Sequence, residues 1–173
     1  VYAITPEVIA DDGDVWSFNT CGFGDALEPF TPISAARTES GDIKNVVRTR
    51  FGFRSSKMEQ RITVYPGRDY VDIAYRVDWD EPHTALKYRI TTPSAPDRIV
   101  AGVPGGLCER GFDGEEYPLS ETIELGDITV MADSIFAYNT DKDTETAALT
   151  LLRNPVCGDL RMDDPLREDE DYL

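Results

Sequence analysis

MEQRITVYPGRDYVDIAYRVDW, residues 58–79, has the clearest periodic pattern in the sequence. Apolar and polar residues alternate on both sides of the turn sequence PGRD, and Val71, Ile73 and Tyr75 share one face. A period of two is typical of a strand that is buried on one side. Two such runs joined by a short Pro-Gly turn indicate a β-hairpin. The stretch therefore predicts antiparallel β-structure.

The rest of the chain repeats this pattern in short segments that are divided by turn-rich sequence. No segment predicts a helix, because Pro29 and Pro32 interrupt residues 26–37 and the acidic stretch 163–171 has little apolar surface. The further predicted strands are Val46–Phe53, Leu86–Thr91, Arg98–Val103, Leu119–Leu125, Ile128–Ala132, Ser134–Tyr138 and Ala147–Leu152. Short strands at intervals of roughly 8–12 residues favour two packed sheets. We predict an all-β antiparallel β-sandwich that forms one domain over residues 1–173.

The charge balance limits the classes of partner. The chain has 173 residues, of which 33 are acidic and 17 basic, and its formal net charge is −16. A nucleic-acid-binding protein needs a basic surface, and an anionic membrane surface repels so acidic a chain. Apolar residues make up 40% of the sequence, which is enough for a folded core. We expect neither nucleic acid nor membrane as a partner.

Cysteine and histidine are scarce, which argues against a metal site. Cys21, Cys108 and Cys157 are odd in number and widely spaced, so they predict neither a disulfide framework nor a zinc knuckle. A reducing compartment, the cytoplasm, is the favoured location, and secretion stays open. His83 is the single histidine, so a zinc site would need carboxylates at most of its positions. We predict His83 to be a loop residue and this chain to hold no metal or cofactor.

Three other features are candidate ligand-binding sites. Asn139 to Glu145 alternates oxygen ligands like a calcium loop but lacks the glycine at position six and the glutamate at position twelve, so a plain turn is favoured. Trp16 follows an acidic turn and is a candidate for stacking on a sugar ring. Trp79 shares its face with four apolar residues, and we predict that it packs in the core.

Four stretches carry a resemblance to a known family: GDVWSFN at 13–19, RVDWDEPHTALKY at 76–88, AGVPGGLCERGFDGEEYP at 101–118 and LTLLRNP at 149–155. Their order and spacing resemble the C-terminal β-sandwich region of glycoside hydrolase family 38, the α-mannosidases, most closely its bacterial members. The chain departs from that family after LTLLRNP, where VCGD at 156–159 stands in place of the family's Asp-Gly-His segment.

The resemblance implies a fold related to the galactose-mutarotase-like supersandwich, of which this chain is a part. Family members bind zinc and hold their aspartate nucleophile in a preceding α/β domain. The resemblance therefore implies a non-catalytic chain whose partners are the catalytic α/β domain of the same polypeptide and the carbohydrate substrate. Zinc is expected in the parent's catalytic domain, and none of the residues here is expected to be catalytic.

The resemblance also gives site candidates. Trp16, Arg110 and Glu116 are candidate carbohydrate contacts, and Arg153 is a candidate residue of the domain interface. A structural ion pair on the sheet rim is the alternative for Arg110 and Glu116, because rim pairs are common. A buried salt bridge is the alternative for Arg153.

The leading hypothesis is a supporting domain of an α-mannosidase-like hydrolase that completes a carbohydrate cleft. The alternative is an independent carbohydrate-binding module without hydrolase activity. A mutarotase-like epimerase and a calcium-dependent adhesion domain are further hypotheses. The epimerase would need His83 as its acid, which its place in a Pro-flanked loop disfavours.

Overall fold

The computed structural model describes residues 3–13, 22–94, 96–141, 143 and 146–155. They divide into two compact units, Val1–Leu27 with Pro82–Leu173, and Glu28–Glu81. We call the first the main unit and the second the inserted unit. No helix occurs within the described ranges, and every strand pair is antiparallel, which confirms the all-β prediction. The single domain over residues 1–173 stays a prediction.

The main unit contains two sheets. The five-stranded sheet consists of β1 (Ala3–Ala10), β6 (Thr84–Thr91), β13 (Thr146–Asn154), β12 (Ala137–Asp141) and β9 (Glu116–Pro118), in that spatial order. The four-stranded sheet consists of β11 (Ile128–Met131), β10 (Thr122–Leu125), β7 (Ile99–Val103) and β8 (Gly106–Arg110), also in spatial order. Strands β1 and β6 are neighbours although the whole inserted unit separates them in the sequence.

Apolar side chains of both sheets form the core of the main unit. The fully or almost fully buried residues are Val8, Leu86, Tyr88, Ile90, Tyr138 and Leu149 in the five-stranded sheet, and Ile99, Ala101, Ile123 and Leu125 in the four-stranded sheet. The two sheets meet where the guanidinium carbon of Arg110 in β8 lies 3.8 Å from the ring centroid of Tyr117 in β9. This arrangement is consistent with the predicted β-sandwich.

The inserted unit is one four-stranded sheet. Its strands are β2 (Thr31–Ser40), β3 (Asn45–Phe53), β4 (Ser56–Val64) and β5 (Val71–Asp78), and their spatial order follows the sequence. Four rings pack at one end of the sheet: Phe53 stacks on Trp79 with 6.0 Å between centroids, and Phe30 meets the edges of both rings. Trp79 thus packs against other rings as predicted, although it is half-buried rather than fully buried. Phe51, the fourth ring, contacts Phe30 at 5.7 Å.

The hairpin predicted from residues 58–79 is confirmed. Strands β4 and β5 pair from Lys57 opposite Asp78 to Val64 opposite Val71, without a bulge. Burial in β5 alternates between half-buried and exposed, as the period of two predicts. The hairpin also fixes the two sides of the inserted sheet, because register determines which side chains share a face.

Several strand boundaries differ from the prediction. Residues 119–121 do not extend β10, because Glu121 adopts a left-handed backbone with φ of 64°. Strand β12 begins at Ala137, three residues later than predicted. No sequence pattern predicts four of the strands, β1, β2, β8 and β9. Strand β2 is exposed throughout, contains Pro32 and has two bulges, which is typical of a sheet edge.

The remaining sequence predictions concern loops and cysteines. His83 lies in the turn before β6 with φ of 56°, as a loop residue. Asn139 to Asp141 belong to β12 rather than to a turn, and Lys142, Thr144 and Glu145 lie outside the described residues. Cys108 is a free thiol, whereas Cys21 and Cys157 lie outside the described ranges.

Within the described ranges, no helix has the length and apolarity needed to cross a membrane.

Gly102→Ala is expected to destabilise the main unit. A Cβ atom at this position of β7 would lie 2.2 Å from the carbonyl oxygen of Ser120, whose amide donates to the Gly102 carbonyl at 2.9 Å. Such overpacking costs about 1–3 kcal/mol in the free energy of unfolding. Gly106→Ala, in the next strand, is the matched control because nothing lies within 4 Å of its Cβ. Urea unfolding measures both, and equal stabilities would contradict the close contact.

Tyr138→Phe is expected to remove an alkaline loss of stability. Burial raises the pKa of Tyr138 to about 12 from 10.0, and its hydroxyl has no hydrogen-bond partner within the described part of the chain. A raised pKa means that the native chain keeps a proton which the unfolded chain loses, so stability is complete below pH 10 and is lost as pH rises toward 12. The loss amounts to roughly 3 kcal/mol at about 1.36 kcal/mol per pH unit.

The measurement for Tyr138→Phe is chemical unfolding of wild type and variant between pH 8 and about 12. The variant is expected to be about as stable as wild type or up to about 1 kcal/mol more stable at pH 8, because an unpaired buried hydroxyl is removed. Its stability should fall less steeply than that of wild type at alkaline pH. Tyr70→Phe, at an exposed position, is the control. Parallel curves for all three proteins would refute the prediction.

Candidate functional site

One face of the five-stranded sheet carries polar side chains from all of its strands. Glu7, Lys87 and Thr150 are register partners in successive strands, and Asn139 is the partner of Glu116. Alternation along each strand places these residues on the side opposite to the apolar core. We call this side the polar face, and its members used below are Glu7, Lys87, Arg89, Glu116, Asn139, Thr150 and Arg153.

Lys87 is the centre of the polar face. Its side chain is only 3% exposed, and its ammonium group donates to a carboxylate oxygen of Glu116 and, at 2.7 Å, to the amide oxygen of Asn139. The hydroxyl of Thr150 donates to the other oxygen of Glu116. A charge this deeply buried persists only when it is paired and hydrogen-bonded. The four side chains therefore form one mutually dependent network.

The environment of Lys87 disfavours its charged form. Burial lowers the pKa of Lys87 below its usual value, and the charge and hydrogen bond of Glu116 oppose this effect only in part. The ring of Phe23 adds a further favourable contact, with its centroid 4.7 Å from the ammonium nitrogen.

A second buried ion pair lies on the same face. Arg153 donates from Nε and Nη2 to the two oxygens of Asp11, at 2.7 and 2.9 Å, and the Asp11 side chain is fully buried. Such a bidentate pair has a fixed geometry. The Arg153 guanidinium also lies 4.6 Å from the Phe23 centroid, so that this ring contacts two cations. The salt-bridge alternative for Arg153 is therefore what the structure contains, and its role at a domain interface stays a prediction.

Arg89 forms the third pair. It donates to both carboxylate oxygens of Glu7, at 2.9 and 2.8 Å, and to the hydroxyl of Thr146 at 2.8 Å. Asp141 lies 3.7 Å from its other terminal nitrogen. Three cations of the polar face thus each have a carboxylate partner within the main unit.

An open cleft of about 210 Å³ lies over this network. Its charged and polar lining residues are Glu7, Asp25, Lys87, Arg89 and Asn139, and the remainder consists of Ile9, Gly22, Phe23, Gly24, Ala26 and Gly114. Main-chain hydrogen bonds hold the 22–27 segment against β1, from Ala10 N to Asp25 O at 3.0 Å and from Gly24 N to Ala10 O at 2.9 Å. The segment that contains Phe23 is therefore held against the five-stranded sheet by main-chain hydrogen bonds.

The structure separates two of the predicted site residues. Glu116 and Tyr117 are successive in β9, so their side chains lie on opposite sides of the sheet. Arg110 contacts Tyr117, whereas Glu116 binds Lys87. The suggested ion pair between Arg110 and Glu116 is wrong, because each has a different partner. Trp16 lies outside the described residues.

Lys87 and Asn139 were missed as site residues. A signal for Lys87 exists in the sequence, since Leu86, Tyr88 and Ile90 alternate with Lys87 and Arg89 in a strand that is buried on both faces. Asn139 gives no such signal, because its partners come from strands that are distant in the sequence.

The described residues do not fit a zinc site. No group of three or more His, Cys, Asp or Glu side chains among them is placed to hold a metal ion. The carboxylates of the polar face already bind Lys87, Arg89 and Arg153. The described residues therefore supply no set of ligands for zinc chemistry.

The Lys87–Glu116 pair is expected to show strong energetic coupling. Lys87→Met or Glu116→Gln alone should lower the free energy of unfolding by about 3–5 kcal/mol, because each leaves its partner buried and uncompensated. The double variant should lose much less than the sum. Urea unfolding of all four proteins gives the coupling energy.

The control for this cycle is the exposed pair Lys44 and Glu39, whose charged atoms are 2.9 Å apart. Lys44→Met and Glu39→Gln should couple by only about 0–1 kcal/mol. Additive losses at Lys87 and Glu116 would refute the network as described.

The sequence model of the Glycosyl hydrolases family 38 C-terminal domain matches residues 5–161, which is most of the chain and includes the whole inserted unit. No curated protein matches the chain. The family match confirms the resemblance that the four sequence stretches indicate, and the bacterial origin stays a prediction. The chain belongs to the glycosyl hydrolase family 38 C-terminal domain family.

Proposed function

We propose that this chain is the non-catalytic β-sandwich domain of an α-mannosidase-like hydrolase, in which it supports the catalytic α/β domain and contributes carbohydrate contacts. The hydrolysis of α-mannosides and the zinc ion belong to the catalytic domain of the intact enzyme. Family membership over residues 5–161 supports the domain assignment. The polar face supports the assignment of zinc to the catalytic domain, since the carboxylates of this face pair with Lys87, Arg89 and Arg153.

The observation that carries the carbohydrate proposal is the cleft over the polar face. Its lining includes Lys87 from the largely buried Lys87–Glu116 pair and both members of the Arg89–Glu7 pair. Charged groups held in this way do not need to reorganise when a ligand arrives. Glu116 uses both oxygens inside the network, so we propose that it positions Lys87 at the cleft rather than contacting sugar itself.

The lining favours a neutral ligand that is rich in hydroxyl groups. Lys87 and Arg89 already have carboxylate partners in Glu116 and Glu7, so the cleft offers an anionic ligand no uncompensated cation. Carboxylate oxygens accept hydrogen bonds from hydroxyl groups, while ammonium and guanidinium groups donate to them. A volume of about 210 Å³ is below the roughly 300 Å³ at which pockets for drug-sized ligands begin. One sugar ring, not an oligosaccharide, is the ligand of matching size.

The independent carbohydrate-binding module remains the alternative, because every residue that lines the cleft belongs to the main unit. Binding would then not require a second domain. The leading proposal predicts that an α/β domain with a His-x-Asp motif is encoded before Val1. Arg110 and Trp16 stay predicted carbohydrate contacts, and Arg110 would act at a place other than this cleft.

The isolated chain is expected to bind methyl α-D-mannoside weakly and to leave p-nitrophenyl α-D-mannoside intact in the presence of zinc. A small ligand with few contacts should bind in the millimolar range, about −4 kcal/mol. Asp25→Ala should weaken binding by about tenfold, because it removes a charged acceptor from an exposed position of the cleft wall. Calorimetry and NMR titration measure the binding, and absorbance measures the hydrolysis.

Asp97→Ala is the matched control, since Asp97 is an exposed residue of the main unit away from the cleft lining. It should bind methyl α-D-mannoside as wild type does. Micromolar binding by the isolated chain would favour the independent module. Zinc-dependent turnover would overturn the non-catalytic assignment, and an unchanged affinity of Asp25→Ala would show that sugar does not use this cleft.

A further inference from the structure

The two units differ sharply in charge. Residues 28–81 contain nine basic and nine acidic side chains, so the inserted unit has no formal net charge. The other residues contain eight basic and 24 acidic side chains and account for the whole net charge of −16. More than half of the 17 basic residues are thus concentrated in the inserted unit.

Register brings four of these cations together on one face of the inserted sheet. One row across the strands reads Ala36, Arg48, Arg61 and Ala74, and the adjacent row reads Ser34, Arg50, Glu59 and Arg76. Residues two apart in a strand share a face, so both rows lie on the same side of the sheet. We call the group Arg48, Arg50, Arg61, Arg76 and Glu59 the arginine face.

A single carboxylate serves the four arginines. Glu59 lies 3.3 Å from Nε of Arg48 and 3.2 Å from Nε of Arg50. Arg61 and Arg76 are exposed and form no ion pair with any residue that the structure describes. The Nε atom of Arg48 is buried beside Glu59, and within the same residues it forms no hydrogen bond of good geometry. Glu39, Asp72 and Asp78 lie on the same side in the adjacent rows, but among the described residues none of them forms an ion pair with these arginines. The five residues of the arginine face therefore keep, among themselves, an excess of three positive charges.

This arrangement is unfavourable for the sheet by itself. Arg48 and Arg61 are directly opposite each other, and like charges at such positions destabilise a strand pair. Their register neighbours are Ala36 and Ala74, whose short side chains leave the space around the guanidinium groups open. A hollow of about 310 Å³ adjoins the face and is lined on its charged side by Arg50, Arg76 and Lys57 with Glu59 and Asp78.

A ligand that pairs with several of these guanidinium groups would be an anion with several oxygens. Each guanidinium presents a planar fork of donors, whereas a carboxylate carries a single negative charge on two oxygens. A phosphate group has three or four oxygens and can receive two forks at once. Its double charge also balances Arg48 and Arg61 together. Phosphate therefore fits the face better than carboxylate does.

We propose that the arginine face binds the phosphate group of a small phosphorylated ligand between Arg48 and Arg61, with Arg50 and Arg76 at its side. The proposal depends only on the inserted unit and not on the carbohydrate cleft. Non-specific attraction does not account for such binding, because a chain with net charge −16 repels anions at long range.

The test is calorimetric titration of the whole chain with inorganic phosphate and pyrophosphate at low ionic strength. Wild type should show saturable one-site binding, and Arg61→Gln should weaken it about tenfold or more, because charge-assisted hydrogen bonds are lost. Arg61→Lys keeps the charge but loses the fork, so its affinity should lie between the two. Arg76→Gln is a second variant in case Arg61→Gln does not fold, and circular dichroism verifies the fold of each.

Arg68→Gln is the matched control. Arg68 is an exposed residue in the turn between β4 and β5, so this variant removes the same charge away from the arginine face. It should bind phosphate as wild type does. Equal weakening by Arg68→Gln and Arg61→Gln, or the absence of saturable binding in wild type, would overturn the proposal. Malonate that binds as tightly as phosphate would overturn the choice of phosphate over carboxylate.

Discussion

The ion pair between Lys87 and Glu116 is the interaction on which the main unit depends. It joins β6, in the interior of the five-stranded sheet, to β9 at its edge, and it spans the two strands between them through Thr150 and Asn139. A buried pair of this kind adds little stability by comparison with an apolar core, but it tolerates no misplacement of either partner. The ion pair fixes the positions of the polar side chains that line the cleft.

Strand β6, which carries Lys87, is buried on both of its faces. On the core side, Leu86 and Tyr88 pack among apolar residues, which needs no further compensation. On the polar side, the 22–27 segment covers cations that would otherwise face water, and Phe23 contacts both Lys87 and Arg153. Burial of this face strengthens its electrostatic interactions and makes each unpaired group costly. The polar face is consequently a fixed surface.

Charge is compensated differently in the two units. In the main unit, Lys87, Arg89 and Arg153 each have a carboxylate partner, and the many remaining acidic residues keep the surface negative. In the inserted unit the charges cancel in sum but not in position, since one face keeps more arginines than Glu59 can neutralise. Membership of the family 38 C-terminal domain family covers both units. The two binding proposals accordingly concern different classes of ligand, a neutral sugar for the main unit and an anion for the inserted unit.

The fold class, the hairpin at 58–79, the packing of Trp79 and the family can all be predicted from the amino-acid sequence, because period-two patterns and local motifs are properties of neighbouring residues. Edge strands such as β2 cannot, because they bury nothing and so have no apolar alternation. The contact of Glu116 with Lys87, and the position of Arg110 on the other side of the five-stranded sheet, also have no local signal. They follow from the folded arrangement, since register between residues that are 29 to 52 positions apart determines which polar side chains meet.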